Sequence, residues 1–534
     1  MNNKVLAIKI CAPAGSGVMQ ISELLCAVLN EAGFYSLAYP EYPSRIRGGD
    51  NNVQILISDR PELAPQNKVD VLFLLDENLR NDHLKDIKNN GQIFSTATAK
   101  IDALSEVKQN PFVKNTALAG YIWKTLGQDL AILTQQIEKK FRHKHLVENL
   151  NAAKQGYDLA SKIAEYVLRG VKEKIINATG NKIMADFAVK AGCEYASIYP
   201  MTPITGLLSH LSKKIETITP EDEIFAALST VGAAYAGKRA LTATSGGGFC
   251  LMSEAIGLAG MAEIPFVVIL GQRPGPSSGI PTYSAQADLN FAINVGQGEF
   301  PKIILAPGDL EETAKLTLDA FNLADIYQIP VIILTDKYLS ENRFSLLQKT
   351  IEKIKIKIDR GKRFSANQKN YAHYQLTKDG VSPRAFPGET TFLTNSYEHD
   401  EKGFSTDNVE IRNKMMAKRM KKTNGLKGGF EIFGDKTSPT AIIGWGSTKT
   451  QILPLLERNT KYKYIHIWRV WPFPIELKRE LKNIKKAIVI ENNFSGQMAK
   501  IIQNETGVSV KAITKDDGRP FFQEELNKLI KQNL

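Results

Sequence analysis

The fold class this sequence predicts is α/β in several domains, on three observations. At 534 residues the chain is too long for one hydrophobic core, so three or four domains are expected. Short apolar runs alternate with stretches of helical period, and glycine-rich turns join them. The composition, 43% hydrophobic and 23% charged, is that of an ordinary globular protein and excludes wholesale disorder. Strands separated by helices of this length imply parallel, doubly wound sheets, whose ligands lie at the carboxyl ends of strands.

The first block opens with a strand at Val5–Ile10, turns through Ala14-Gly15-Ser16-Gly17, and continues as a helix with Ile21, Leu24, Leu25, Val28 and Leu29 on one face, stopping at Gly33. The start resembles a signal peptide, with Ala12-Pro13-Ala14 as a cleavage site. Lys9 interrupts its apolar segment, however, and a buried first strand is the reading adopted. Val53–Ile57 and Val69–Leu75 read as buried strands, and Leu146–Leu168 as a helix leading to a Lys-rich link at Val171–Ile176. The glycine turn at Gly15 and Gly17 could offer backbone N–H groups to a phosphate or be a tight structural turn; it has neither the spacing of a dinucleotide fingerprint nor the lysine of a P-loop. Arg45 and Arg47, beside Gly48-Gly49, suit an anionic ligand, a subunit contact or a solvated loop.

The second block begins near Asn177-Ala178-Thr179-Gly180. Helix Ala185–Ala191, strand Tyr195–Tyr199, helix Ile204–Leu211, helix Glu223–Ala236, strand Ala240–Thr244, helix Met252–Met261 and strand Phe266–Leu270 follow in turn. From Ser340 to Lys436 the periodicity is lost and a long connecting arm on the surface or along a partner is expected. A last α/β unit starts at Ala441, with strands at Tyr464–Trp468 and Ala487–Ile490. Its Gly444-Trp445-Gly446-Ser447-Thr448-Lys449 imitates a P-loop and reads as an ordinary strand-to-helix turn. The chemistry concentrates at the second block's strand ends: Tyr199-Pro200-Met201-Thr202-Pro203, Glu221-Asp222-Glu223, Thr244-Ser245-Gly246-Gly247-Gly248 and Gln272-Arg273 bring hydroxyl, carboxylate and guanidinium to successive turns.

Lys plus Arg number 68 against 56 Asp plus Glu, a net charge of +12. That balance admits a nucleic-acid-binding or basic scaffold reading. The excess is spread thinly, and its densest run, Lys414 to Lys422, alternates with methionines as an amphipathic surface helix would. The four cysteines, Cys11, Cys26, Cys193 and Cys250, form no CxxC pair, which removes the signature of a zinc ribbon or ferredoxin-type cluster and favours a reducing, cytoplasmic compartment. Glu398-His399-Asp400 offers metal-ligand types that, being adjacent, cannot all aim at one ion, so no metal site is expected. No apolar run nears the about 20 residues of a membrane span, and a soluble protein is expected.

Taken in order, these motifs resemble the alpha subunits of 2-oxoacid:ferredoxin oxidoreductases, especially the 2-oxoglutarate type. Further marks are Ser253-Glu254-Ala255-Ile256-Gly257, Asp379-Gly380-Val381-Ser382-Pro383-Arg384, Trp471-Pro472-Phe473-Pro474 and Asn493-Phe494-Ser495-Gly496-Gln497. The resemblance implies a gamma-type Rossmann-like domain over residues 1–172 and a thiamine-diphosphate pyrimidine-binding doubly wound domain over 175–340. The connecting arm, 341–436, and a transketolase C-terminal-like domain, 437–534, would follow. It also implies oxidative decarboxylation of 2-oxoglutarate with coenzyme A and ferredoxin, the same chemistry on pyruvate or branched-chain 2-oxoacids being the alternative.

In that family a carboxylate meets the pyrimidine nitrogen of the cofactor so that its imino form can remove the thiazolium proton, a task suited to a buried glutamate. The register points to Glu223, with Glu221 the other choice. Thr202 matches the substrate-side hydroxyl and Arg273 the arginine for the substrate carboxylate. Tyr199, Pro200, Ser245 and Gly246 would complete the cofactor site, and Gly15, Gly17, Arg45 and Arg47 would serve coenzyme A or a subunit contact. Ala12 and Pro274 stand where the family often has Gly. No Gly-Asp-Gly diphosphate-and-magnesium motif is present, so a beta subunit is expected to supply Mg²⁺ and an iron–sulfur cluster, in a heterotetramer of two alpha and two beta chains.

Overall fold

The computed structural model describes residues 5–43, 49–142, 145–163, 170–366, 370–458 and 461–534. The chain forms two compact units, one of residues 1–179, 342–353 and 522–528, the other of 180–341, 354–521 and 529–534.

The first unit is built on a seven-stranded sheet in the order Ile87–Ser95, Val69–Leu74, Leu6–Pro13, Asp50–Ser58, Tyr35–Glu41, Arg343–Leu347, Ile175–Ala178. Leu6–Pro13 is buried along nearly its whole length, which is why it reads as a continuous apolar run. Lys9 is tolerated there because its ammonium donates to Asp86 Oδ2 at 2.8 Å. The sheet is mixed rather than parallel: Asp50–Ser58 lies antiparallel to both Leu6–Pro13 and Tyr35–Glu41. The link from Glu41 to Asp50 is too short for a crossover helix, and a short link forces antiparallel pairing. Two edge strands come from sequence read differently above. Ile175–Ala178, at the expected opening of the second block, and Arg343–Leu347, at the expected start of the arm, pair antiparallel with each other in this sheet. Pairing partners so far apart in sequence leave no local signal.

The second unit holds two sheets. Its larger one runs Arg469–Trp471, Ile303–Leu305, Pro330–Asp336, Phe266–Gln272, Arg239–Thr244, Cys193–Ser197, Glu216–Ile218, parallel except for the Arg469–Trp471 edge. After Cys193–Ser197 the chain places Glu216–Ile218 on one side and Arg239–Thr244 on the other. The strand order therefore reverses beside Cys193–Ser197, the kind of point at which open α/β sheets place their ligands. The other sheet, Phe430–Gly434, Lys463–Ile467, Thr440–Trp445, Lys486–Glu491, Lys511–Thr514, is parallel apart from its first strand. Gly444 to Lys449 is the strand-to-helix turn expected, and its Lys449 is held by Asp309 at 2.6 Å and Glu312 at 2.5 Å.

The basic run at 414–422 differs from its expectation as a solvated face. It ends the helix Val409–Met420 and the turn after it, and Lys418, Arg419 and Lys422 are buried. The Lys418 ammonium donates to both Glu263 carboxylate oxygens at 2.5 and 2.7 Å, Lys422 lies 2.5 Å from the same carboxylate, and Arg419 donates to both oxygens of Glu398. Charge spacing along one helix cannot reveal a carboxylate 155 residues away. Burial pushes the Glu263 carboxyl up, but the Lys422 and Lys418 ammonium groups overcome this and hold it at about 2. Its folded value thus lies below its ordinary one, so the stability it contributes is complete above the ordinary carboxylate range and is lost as pH falls towards the folded value. The melting temperature is expected to drop on acidification through that window. Glu263→Gln should start lower, with two buried ammonium groups uncompensated, and show a flatter curve; parallel curves would remove this carboxylate from the pH response.

Candidate active site

Three neighbouring strands of the larger sheet, Cys193–Ser197, Arg239–Thr244 and Phe266–Gln272, deliver the motifs to one edge. After Arg239–Thr244 the chain passes through Ser245 into the short helix Gly246–Leu251. A Cβ on Gly248 would stand 2.1 Å from Thr244 Oγ1 and 2.5 Å from Glu223 Oε1, so only glycine lets the Glu223 carboxylate approach this turn. Glu223 is the first residue of helix Glu223–Tyr235, whose N-terminus is capped by Asp222, its carboxylate accepting from Phe225 N at 2.8 Å. With Asp222 spent on the cap, the three acidic neighbours divide: Glu221 is exposed, Asp222 half-buried and Glu223 4% exposed.

Glu223 Oε1 is buried without a hydrogen-bond partner among the described residues, and so is Ser245 Oγ at the same turn. Leaving a buried polar group unmatched costs about 1–3 kcal/mol and more for a charged one, so natural chains seldom do it without a water, ion or ligand to satisfy the group. A buried carboxylate oxygen with space made for it by glycine fits a nitrogen heterocycle that must share a proton.

Arg273 follows the Phe266–Gln272 strand. Its Nη1 donates to the carbonyl oxygen of Thr202 at 3.0 Å, which ties the Thr202 turn to the guanidinium. The contact runs through the Thr202 backbone rather than its hydroxyl. Gly271 permits the approach, because a Cβ there would meet Ile204 Cδ1 at 2.6 Å and Pro203 Cδ at 3.0 Å. Tyr199 and Pro200, on the same turn, are exposed. The sequence marks Gly248 only as part of its glycine turn and does not mark Asp288. A Cβ on Gly246 would lie 3.1 and 3.3 Å from the Asp288 carboxylate oxygens, and the charge of Arg273 bears on that carboxylate. Gly248 was legible as one more glycine in a Gly-Gly-Gly turn, whereas nothing in Gln286-Ala287-Asp288 marks the aspartate as a site residue.

In the first unit, Gly15 and Gly17 take positive φ values of 88° and 77°, and Gly17 precedes helix Val18–Glu31. Asn115 Nδ2 donates to Ser16 O at 2.8 Å and crowds Gly17, while nothing lies near the Cβ position of Gly15. The turn borders a cavity of about 1320 Å³ whose lining includes Thr96, Lys114, Phe141 and Lys140. Arg45 and Arg47 lie outside the described residues.

Comparison with known proteins bears on what these units are. A family model described as pyruvate flavodoxin/ferredoxin oxidoreductase, thiamine diphosphate-binding, matches residues 187–418, and one described as pyruvate ferredoxin/flavodoxin oxidoreductase matches 7–159. The 2-oxoacid:ferredoxin oxidoreductase subunit alpha of a Sulfolobus species is 31% identical over 97% of this chain and 95% of its own. This chain belongs to the 2-oxoacid:ferredoxin oxidoreductase alpha subunits. As such it is a subunit of a thiamine-diphosphate-dependent oxidoreductase, with the α/β architecture expected. The 2-oxoglutarate synthase subunit KorA of Methanocaldococcus jannaschii is 32% identical over 66% of this alpha subunit and 98% of its own length. The 2-oxoglutarate:ferredoxin oxidoreductase from Magnetococcus marinus, solved with 2-oxoglutarate, coenzyme A and succinyl-CoA bound, matches with a TM-score of 0.91 at 28% identity, covering 100% of both chains. No helix among the described residues of the alpha subunit is long and apolar enough to cross a membrane.

Proposed function

We propose that this alpha subunit carries a gamma-type domain fused at its N-terminus and works in an enzyme that oxidatively decarboxylates 2-oxoglutarate to succinyl-CoA and CO₂, passing electrons to ferredoxin. The observation that carries the reading is Glu223 Oε1, buried without a partner against a turn that only glycine allows. Glu223 shares a proton with the pyrimidine ring of thiamine diphosphate, Ser245 donates at the same turn, and Thr202 and Arg273 hold the carboxylate of the 2-oxoacid. Bound thiamine diphosphate supplies the nucleophilic carbon that takes up the 2-oxo group and accepts the electrons left when CO₂ departs. Arg273 meets the substrate carboxylate with a charge-assisted hydrogen bond.

A beta subunit supplies the diphosphate and Mg²⁺ site and the iron–sulfur cluster. Two observations support that partner. Ile224, Phe225 and Leu228 on the Glu223 helix, and Leu251 on the next, are all 40% or more exposed, an apolar face beside a buried catalytic glutamate. The cysteines are dispersed, with Cys11, Cys26 and Cys193 buried and Cys250 exposed. The domain assignments read from sequence, 1–172 as gamma-type, 175–340 as pyrimidine-binding and 437–534 as transketolase C-terminal-like, belong to the same proposal. Coenzyme A is taken up by the first unit, along the Gly15–Gly17 turn and its cavity.

The choice of 2-oxoglutarate is supported by the likeness to the Magnetococcus marinus enzyme and to the KorA subunits. The test is a substrate panel on the purified complex, with coenzyme A and ferredoxin or a viologen as acceptor. The highest kcat/KM is expected for 2-oxoglutarate; a higher value for pyruvate or a branched-chain 2-oxoacid would transfer the assignment to that substrate.

A further inference from the structure

Gln497 opens the helix Gln497–Thr506, yet its side chain serves a different helix. Its Oε1 accepts from Asn290 N at 2.9 Å and its Nε2 donates to Ala287 O at 2.7 Å. Asn290 N is one of the first N–H groups of the helix Leu289–Asn294, and Asp288, the residue placed to cap that helix, makes no side-chain bond to it. The cap comes instead from a residue 207 positions further along the chain. A helix of six residues is too short to be stable by itself, so where it starts is set by what holds its first turn.

Gln286 completes the hold. Its backbone N donates to Asn492 O at 2.6 Å and its Nε2 to Trp445 O at 2.9 Å, while its Oε1 accepts from Asn492 N at 3.1 Å. Asn493 Nδ2 donates to Gln286 O at 3.1 Å. Trp445 and Glu491 end adjacent parallel strands of the C-terminal sheet, so residues 286–290 are gripped at the carboxyl ends of that sheet. Gln286, Asn492, Asn493 and Gln497 are all buried. From this grip the segment reaches the sheet of the candidate active site. Asp288 N donates to Gln272 Oε1 at 3.1 Å, and Gln272 Nε2 donates to Thr335 O at 3.3 Å on the next strand. Gln272 is the last residue of its strand, and Arg273 follows it. Apolar packing between the two sheets is non-directional, whereas hydrogen bonds to both N–H and C=O of one short segment fix its place and its orientation.

We propose that Gln497 is a positioning residue for the 2-oxoacid site: by capping Leu289–Asn294 and holding Ala287 O it fixes Asp288 N against Gln272, and through Gln272 the direction in which Arg273 leaves its strand. This rests on Arg273 being the substrate-carboxylate group. A guanidinium grips a carboxylate through two parallel donors, and a displacement of about 1 Å at such a site is enough to lose much of the effect.

Gln497→Met keeps the length of the side chain and removes both bonds. In the assembled enzyme the KM for the 2-oxoacid should rise about three- to tenfold, the worth of one neutral hydrogen bond, while thiazolium C2 proton exchange, which reports Glu223, keeps its wild-type rate. Gln497→Glu retains the acceptor for Asn290 N and should recover part of the loss. A double-mutant cycle decides the matter. Because Gln497 acts through Arg273, adding Gln497→Met to Arg273→Ala should change the KM by less than about twofold more. Full additivity in the cycle, or an unchanged KM in Gln497→Met alone, overturns the proposal. Should Gln497→Met not assemble, Gln286→Met removes the side-chain bonds to Trp445 and Asn492, keeps the backbone bond to Asn492 O, and carries the same cycle with the same two adverse outcomes. A KM unchanged by Arg273→Ala brings down the reading of Arg273 and this proposal with it, whereas a KM raised by Arg273→Ala and unmoved by Gln497→Met brings down this proposal alone.

Discussion

Glu223→Gln in the assembled enzyme is expected to bind thiamine diphosphate and yet exchange the thiazolium C2 proton at least about a hundred times more slowly than wild type. Glutamine keeps the shape and can still form a hydrogen bond at Oε1, so the buried oxygen is satisfied and the cofactor stays. It cannot take and return a proton, and that is the step the exchange reports. The packing makes the substitution clean, because the space around Oε1 is set by Gly248 and Thr244, which the change leaves alone. Glu221→Gln is the control. Glu221 is exposed, so its substitution should leave the rate unchanged. A slow Glu221→Gln beside a normal Glu223→Gln would move the role by two residues, and two normal rates would take it away from this helix.

Arg273→Ala is expected to lower kcat/KM for the preferred 2-oxoacid by roughly ten- to a hundredfold, the loss of one charge-assisted hydrogen bond of about 1.5–3 kcal/mol. The loss should appear chiefly in KM if the guanidinium holds the carboxylate equally before and during reaction, and in kcat if its grip tightens only in the transition state. Arg273→Lys should recover part of it, since an ammonium supplies charge without the planar pair of donors. The side chain also donates to Thr202 O, so the alanine variant frees the Thr202 turn. Unchanged cofactor binding in Arg273→Ala would separate loss of the substrate contact from collapse of that turn. Unchanged kinetics on every 2-oxoacid tried would remove Arg273 from the substrate site.

Much of this architecture can be read from the chain. The apolar strands of the second unit, the glycine turns after them and the hydroxyl, carboxylate and guanidinium at their ends are local patterns, and local patterns survive in sequence. Phe266–Leu270 and Ala240–Thr244 are each within two residues of the strands found, and all residues of those strands are buried, which is what makes them conspicuous. Two strands of the first unit are less legible. Tyr35–Glu41 and Ile87–Ser95 are not among the strands the sequence predicts, the latter because its residues are mostly half-exposed and carry no continuous apolar signal.

By itself the sequence determined the α/β class, the position of the turns at the strand ends and the side-chain types they carry, because each follows from periodicity, turn residues and side-chain type within a few positions. Only the tertiary structure decided which of Glu221, Asp222 and Glu223 turns inward, since that depends on Asp222 capping the helix and on Gly248 clearing the space beside it. It alone decided that Lys418 and Lys422 are spent on Glu263, and that the chain returns at Asp288 to Gln272, the residue before Arg273. Those are meetings of residues distant along the chain, and their energies come from desolvation and charge in three dimensions, which no window of sequence contains.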